Sequence, residues 1–522
     1  MEEKSVGMRL IHKGKRGIIY TIFSRIGIMI MLMLLQIFVM FGIVSRFNEV
    51  WPYAASVMAV FVAIMVIYLL NSRMDSAAKL TWLLIIMAVP VFGAPLFWYT
   101  QTEWGHRMEK ARLEKIIQET RTAIVQDKKT LLKVKEESPE TMALGHYLGI
   151  SGCYPIYENT KVTYFPSGEA KFEELLKQLK QAKDFIFLEY FIVEEGIMWG
   201  SVLEILAQKA AEGVEVRVMY DGMCEFALLP HDYPKRLAAL GIKCKMFAPV
   251  TPFLSTHYNY RDHRKIVVID GQVAFTGGVN LADEYINQKK RFGYWKDTAI
   301  MLNGPAVRSF TLMFLQMWNV EEKNPEFYRF VNASVTPVKT DGFVIPYGDC
   351  PLDCDKVGEN VYMDILNRAN QYVHIMTPYL ILDGEVETAL KFAAERGVDV
   401  KIIMPGIPDK KAAYALAKSH YASLVDAGVK IYEYTPGFVH AKVFVSDDCK
   451  AVVGTINLDY RSLYHHFECA AYMYQTDCIP QIEQDFEETL KECRVVTKET
   501  IKKEKLWIKM TGWVLKAIAP LM

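Results

Sequence analysis

The feature that most constrains this chain is a pattern that occurs twice. The first copy runs His263-Arg-Lys265-Ile-Val-Val-Ile-Asp270 and continues to Gly277-Gly278-Val-Asn280. The second runs His440-Ala-Lys442-Val-Phe-Val-Ser-Asp447 and continues to Gly454-Thr455-Ile-Asn457. His, Lys, Asp, Gly and Asn recur at one constant offset of 177 residues. Chance does not supply five matched polar positions twice at one offset.

The local physics of each copy is readable. Residues 266–269 and 443–445 are β-branched or aromatic runs bounded by turn residues, which predicts a buried strand in each. Residues i and i+2 of a strand share a face, so each His-x-Lys aims an imidazole and an ammonium into one space. The Gly pair and the Gly-Thr mark a tight turn or a close backbone approach. Asn280 and Asn457 follow as amide donors. Two such units face to face make a cationic, donor-rich, metal-free pocket that suits a phosphodiester. The motif Asp lies five residues beyond its Lys, on the other strand face by parity, where it reads as a support of the strand. Better orienting acids for the histidines lie downstream, at Asp297 in Trp295-Lys-Asp-Thr and at Glu468 in His465-His-Phe-Glu. His465 and His466 are neighbours that point apart on a strand, so a metal shared between them is not expected. Glu189 stands in an apolar strand, where a carboxylate needs a partner.

The repeat extends beyond the motif. The run from Ala182 to Phe191 matches the run from Ala369 to Tyr379, and Gly213-Val-Glu-Val matches Gly397-Val-Asp-Val. Strands alternating with helices predict an α/β fold of two pseudo-symmetric lobes, with mixed sheets flanked by helices. The predicted domains are a membrane anchor at 1–105, a helical linker at 106–160, lobe 1 at 161–335, lobe 2 at 336–500 and a basic amphipathic helix at 501–522. The halves differ in one spacing. Gly241 precedes His263 by 22 residues, whereas Gly428 precedes His440 by 12. The extra residues include an aromatic-bearing loop at 251–260. Pro325, Pro337 and Pro346 mark a connection at 324–346.

Hydrophobic residues make up 51% of the chain, and they are concentrated near its start. Three apolar segments, 18–44, 51–70 and 80–99, predict N-terminal transmembrane helices and a multi-pass protein of the cell membrane. Trp51, Trp82, Trp98 and Tyr99 sit near their ends, where interfacial aromatics belong. Lys4, Arg9, Lys13, Lys15 and Arg16 hold the N-terminus on the cytoplasmic side. Pro90 and Pro95 allow the third segment to be kinked or re-entrant. A net charge of zero argues against a nucleic-acid partner. Nine scattered cysteines form no zinc-like doublets and no disulfide framework. In the last segment, Leu506, Met510, Trp513, Ala517 and Leu521 share one side and lysines the other, which suits a membrane surface.

The doubled motif closely resembles that of the phospholipase D superfamily. Leu188-Glu-Tyr-Phe191, Gly277-Gly-Val-Asn-Leu-Ala-Asp-Glu284-Tyr, Trp295-Lys-Asp-Thr and Gly454-Thr-Ile-Asn-Leu-Asp459-Tyr-Arg461-Ser462 are similar to its cardiolipin synthase branch. The resemblance covers roughly residues 50 to 522. Gly278 stands where many superfamily members carry Ser, and the synthase branch tolerates Gly. The resemblance implies two phospholipase D-like lobes sharing one site, with His263, Lys265, Asp270, His440, Lys442 and Asp447 as the catalytic set. It implies Asn280 and Asn457 as phosphate-binding residues, and Asp297 and Glu468 as histidine-orienting acids. It implies that one His attacks phosphorus while the other acts as general acid and base, with no cofactor. The expected substrates are phosphatidylglycerol and membrane lipids. The expected reaction is phosphatidyl transfer between two phosphatidylglycerols, giving cardiolipin and glycerol. A membrane-bound phospholipase D using water, another phosphatidyltransferase and a non-catalytic membrane scaffold are the alternatives. Oligomeric state is left open.

Overall fold

The computed structural model describes residues 51–72, 74–102, 107–224, 228–249, 260–353 and 355–521. The apolar segment at 18–44 and all but Tyr260 of the loop at 251–260 lie outside the described residues.

Lobe 1 carries β1 (Lys161–Phe165), β2 (Phe185–Tyr190), β3 (Glu215–Asp221), β4 (Lys243–Phe247), β5 (Arg261–Asp262), β6 (Lys265–Ile269), β7 (Val273–Gly277), β8 (Tyr294–Lys296) and β9 (Ala299–Asn303). Lobe 2 carries β10 (Phe343–Asp349), β11 (Tyr372–Met376), β12 (Asp399–Pro405), β13 (Lys430–Tyr434), β14 (Gly437–Val439), β15 (Val443–Ser446), β16 (Lys450–Gly454), β17 (His466–Tyr474) and β18 (Cys493–Val495). The first sheet runs β1-β9-β7-β6-β2-β3-β4 and the second β10-β17-β16-β15-β11-β12-β13-β18. The two orders correspond strand for strand, with β18 as an extra edge. In each lobe three strands run parallel and the rest antiparallel. The expected mixed α/β lobes are thus what the repeat folds into.

The motif strands β6 and β15 lie inside their sheets, which is why their runs are apolar at every position. Ile266 and Val268 face a core shared by both lobes, as Val443 and Val445 do. Val267 and Ile269 face the outer layer of lobe 1, and Phe444 faces that of lobe 2. The sheets therefore pack face to face and bring both motifs to one seam. The connection at 324–346 is only partly irregular. It holds the short helix Tyr328–Val331 and the start of β10. Pro346 sits inside β10, opposite Ala471, where an edge strand tolerates it.

The region from 106 to 160 forms three helices, Arg107–Thr120, Lys128–Glu137 and Pro139–Ser151. They are not a free linker. Leu113, Ile116 and Ile124 join the shared core, and Val134, Leu144 and Leu148 join that of lobe 2.

The third apolar segment takes the kinked course that Pro90 allows. Residues 80–99 are not one helix. They divide between helices Ser76–Ala88 and Pro90–Thr102, of 13 residues each. Pro90 cannot donate its nitrogen to the preceding turn, so the first helix stops and a new one starts at the proline. Thirteen residues span about 20 Å, short of the ~30 Å hydrocarbon layer. The two helices fold back on each other, with Trp82 and Phe97 5.3 Å apart. The segment at 51–70 lies within the helix Trp51–Asn71, whose side chains are described from 57 onward. Among the described residues, no helix is long and apolar enough to cross a membrane.

Candidate active site

The site is built where each lobe's motif leans on the other lobe. β5 pairs in parallel with the start of β17, Arg261 opposite His466 and Asp262 opposite Phe467. The His263 N–H then donates to the Phe467 carbonyl at 2.9 Å. β14 pairs in parallel with β8. The His440 N–H then donates to the Lys296 carbonyl at 2.7 Å. These short ladders set the acid that each imidazole meets, and the pairing is crossed. His263 of lobe 1 meets Glu468 of lobe 2, with Nδ1 at 2.9 and 3.0 Å from the two carboxylate oxygens. His440 of lobe 2 meets Asp297 of lobe 1, with Nδ1 at 2.7 Å from Oδ2. In each pair the Nδ1–H is the donor that a carboxylate demands, which leaves Nε2 free to react.

The electrostatics of the two pairs differ. Burial pushes the Glu468 carboxyl up, but His263 and His466 hold it well below the usual carboxylate range. Burial pushes the Asp297 carboxyl up to about 7, against the opposing pull of Lys442. Burial holds both imidazoles well below their ordinary value. At His263 the Lys265 charge adds to burial against the pull of Glu468, and at His440 the charges of Lys442 and Lys265 add to it. Burial thus favours the neutral form of both rings. Lys265 and Lys442 each reach back to the carbonyl of the histidine two residues before. Burial lowers Lys265 to about 8 and Lys442 to about 7. Two buried ammonium groups without a full counter-charge await an anion.

Asn280 is buried with its amide engaged: Oδ1 accepts from the Ile192 N–H at 3.0 Å, and Nδ2 donates to the Tyr285 hydroxyl at 2.8 Å. Asn457 Nδ2 lies 3.5 Å from Asp459, and its Oδ1 has no partner. Asn280 therefore positions Tyr285 beside the ring of His440, 5.4 Å away, with one of its two amide N–H groups.

Asp270 and Asp447 stand outside the cluster of histidines and lysines. Each sits in the left-handed region at φ 52°, which Asp tolerates. Asp270 accepts from the N–H groups of Lys183, Asp184 and Phe185 at 2.8–2.9 Å. Asp447 accepts from those of Asn370, Gln371 and Tyr372 at 2.8–2.9 Å. They fasten the start of β2 and β11 to the end of the motif strand. Glu189 also faces away from the histidines and pairs with Arg264, Nη2 to Oε1 at 2.5 Å.

A family model described as "Cardiolipin synthase, PLD-like domain" matches residues 175–318 and 362–490, one stretch in each lobe. The chain belongs to the cardiolipin synthase family. It is 62% identical over 457 residues to an uncharacterised protein of Streptococcus mutans, covering 88% of this chain and 99% of that one. It is 34% identical to the cardiolipin synthase of Alkalihalophilus pseudofirmus, covering 85% of this chain and 88% of that one. It is 33% identical to the cardiolipin synthase of a Geobacillus species, covering 85% and 89%. The phosphatidylserine synthase of Haemophilus influenzae has the same fold, with a TM-score of 0.53 at 14% identity, covering 69% of this chain and 93% of that one. This family member is a phosphatidyltransferase of the phospholipase D superfamily.

Against that family frame, three site residues escape the sequence reading. Thr455 stands at the position equivalent to Gly278, and its hydroxyl donates to Glu468. A Cβ on Gly278 would lie 2.0 Å from Asp297 Oδ1, so the same position in lobe 1 has no room for a side chain. Lys171, from helix Gly168–Gln181, is buried, bonds the Tyr190 hydroxyl at 2.9 Å and is brought by burial to about 7, with Asp297 and Lys265 as charged neighbours. It lies in an ordinary Lys-rich helix, where nothing marks it. His466 turns into the site beside His263, their rings 5.4 Å apart. His465 turns away, its Nε2 3.4 Å from the Pro520 carbonyl.

Proposed function

We propose that the protein transfers a phosphatidyl group between two phosphatidylglycerols, giving cardiolipin and glycerol through a phosphatidyl-histidine. The observation that carries this reading is the crossed pair of buried His–acid dyads, each with Nε2 left free. His263 Nε2 attacks phosphorus, the P–N bond forms, and the P–O bond to glycerol breaks. His440 enters this step as the imidazolium, with Asp297 accepting at Nδ1 and a proton on Nε2, and gives that Nε2 proton to the departing glycerol oxygen. His440 then takes the proton of a second phosphatidylglycerol's hydroxyl, whose oxygen attacks phosphorus and releases His263. One phosphodiester replaces another, so no nucleotide enters the balance. Lys265 and Lys442 offset the charge that builds on the phosphoryl oxygens. Holding donor and acceptor in one seam supplies the proximity.

A membrane placement follows from the apolar surface. Val57, Val60, Ile64, Leu80, Leu84, Met87 and Phe92 are exposed on the N-terminal helices. Leu506, Trp507, Met510, Trp513 and Val514 are exposed on the helix Leu506–Ile518. The two surfaces are tied where the Thr81 hydroxyl donates to the Ala517 carbonyl at 2.8 Å. We infer that the helices at 76–102 and the C-terminal helix Leu506–Ile518 attach the protein to the membrane through these surfaces.

The test is reconstitution of the purified chain into vesicles of phosphatidylglycerol alone, with identification of the products. Cardiolipin with glycerol is the expected outcome. Phosphatidic acid in its place would make the protein a lipase, and no product at all would make it a scaffold.

A further inference from the structure

His466 does no work in the reaction just described, yet it is placed as if for a ligand. It is 8% exposed, and neither ring nitrogen has a hydrogen-bond partner. Its Nδ1 lies 3.7 Å from Glu468 Oε1, too far for a hydrogen bond. On the other side its ring faces Phe191, 6.3 Å away, which offers no acceptor. Buried polar groups are ordinarily satisfied, so an imidazole with two free nitrogens needs a reason.

We propose that His263, His466 and Glu468 bind a zinc-class divalent ion, and that the bound ion reversibly blocks the attacking histidine. One ligand atom from each of the three lies within 4.8 Å of the others. Two imidazoles and one carboxylate are a donor set that zinc takes with a fourth position left open. Nitrogen donors also select against magnesium and calcium. Ligation takes an unprotonated nitrogen from each imidazole. Lys265 turns its ammonium back to the carbonyl of His263. The inhibition rests on the proposed role of His263. The binding rests on the geometry alone.

Two other groups among the described residues are weaker. His374, Glu483 and Glu487 form one, but Lys401 already holds Glu487 at 2.9 Å and Asp399 at 3.4 Å. Glu359, Asp383 and Glu385 form the other and offer no nitrogen. His440 has no such companion: Tyr285, Trp295 and Phe438 surround its ring.

The experiment uses the full chain in detergent, stripped of metal with a chelator. Zinc chloride is titrated by equilibrium dialysis, and cobalt(II) chloride by visible absorption. One tight ion per chain is expected, with a tetrahedral cobalt spectrum free of thiolate charge-transfer bands. Zinc should stop phosphatidylglycerol turnover, and chelator should restore it. His466→Gln should weaken binding by at least about 10-fold, the loss typical of even an outer-shell partner. His374→Gln should not. On the wild-type protein, zinc should shield His263 and His466 together from diethylpyrocarbonate, a readout that survives if the variant fails to fold. Absence of tight zinc binding, a thiolate spectrum, undiminished affinity in His466→Gln, or shielding of neither histidine would overturn the proposal. Zinc binding in a protein that makes no cardiolipin would instead leave this site standing and remove the functional reading.

Discussion

The two half-sites carry the same motif and differ in everything around it. His263 leans on Glu468, which stays ionised and also accepts the Thr455 hydroxyl. His440 leans on Asp297, which burial brings to about 7 and which meets a glycine where lobe 2 has a threonine. An imidazole bonded to phosphorus through Nε2 carries positive charge while Nδ1 keeps its proton. On the proposed mechanism, a partner held ionised stabilises that state. An imidazole that must gain and lose a proton within one turnover suits a partner poised near neutrality. The duplicated motif supplies two equivalent histidines, and on the proposed mechanism the crossed acids separate their tasks.

The largest expected effect of a single substitution is at His263. His263→Ala should leave no detectable cardiolipin, since nothing else in the site can carry the phosphatidyl group. Turnover above background in a folded variant would place the nucleophile elsewhere. The acids should then fail in different ways. In the wild-type protein, Asp297 takes up a proton as pH falls through about 7. Its anion is then lost to the His440 imidazolium, so kcat should fall on the acid side with a midpoint near 7. Glu468→Gln should lower kcat by about 10²–10⁴ at every pH and keep that limb. Asp297→Asn should lower the plateau and abolish the limb. A pH–rate profile of each variant decides this, and a limb that persists in Asp297→Asn would sever the two acids from their assigned roles.

Smaller effects sharpen the same contrast. Gly278→Ala pushes a Cβ into Asp297, and a misplacement of that size costs about 10² in rate. Thr455→Val removes one hydrogen bond to a charged group, about 1.5–3 kcal/mol, or tenfold and more. Equal losses from the two substitutions would mean that the half-sites are not distinguished at this position. Asp270→Asn and Asp447→Asn should cost about 1–3 kcal/mol of stability through unsatisfied backbone N–H groups. Denaturant unfolding would show the loss while kcat stays within a few-fold. A collapse of kcat with stability intact would return both residues to the chemistry.

Much of this was legible in the residues. The apolar runs of β6 and β15, the His-x-Lys parity and the matched halves follow from strand period and repetition alone. Parity also read the aspartates as facing away from the histidines, and their three N–H partners show what they do there. The crossing of the acids was not legible, because spacing places Asp297 and Glu468 near the site without saying which lobe's histidine each meets. That is decided by the β5–β17 and β8–β14 ladders, two or three residues long, which leave no periodic trace. His466 was read only against its neighbour His465, whereas its companion is 203 positions away in the chain. In the sequence, the third apolar run stays open between a crossing and a kinked segment for a simpler reason. Hydropathy passes smoothly over Pro90, while the backbone cannot.

The central claim is that His263 carries the phosphatidyl group and His440 moves the proton. Its most direct test is rapid acid-free quenching of the enzyme with radiolabelled phosphatidylglycerol, followed by mapping of the base-stable, acid-labile adduct. The account predicts label on His263 in the wild-type protein, slow accumulation on the same residue in His440→Ala, and none in His263→Ala. Label on His440, or an adduct that persists in His263→Ala, would contradict it.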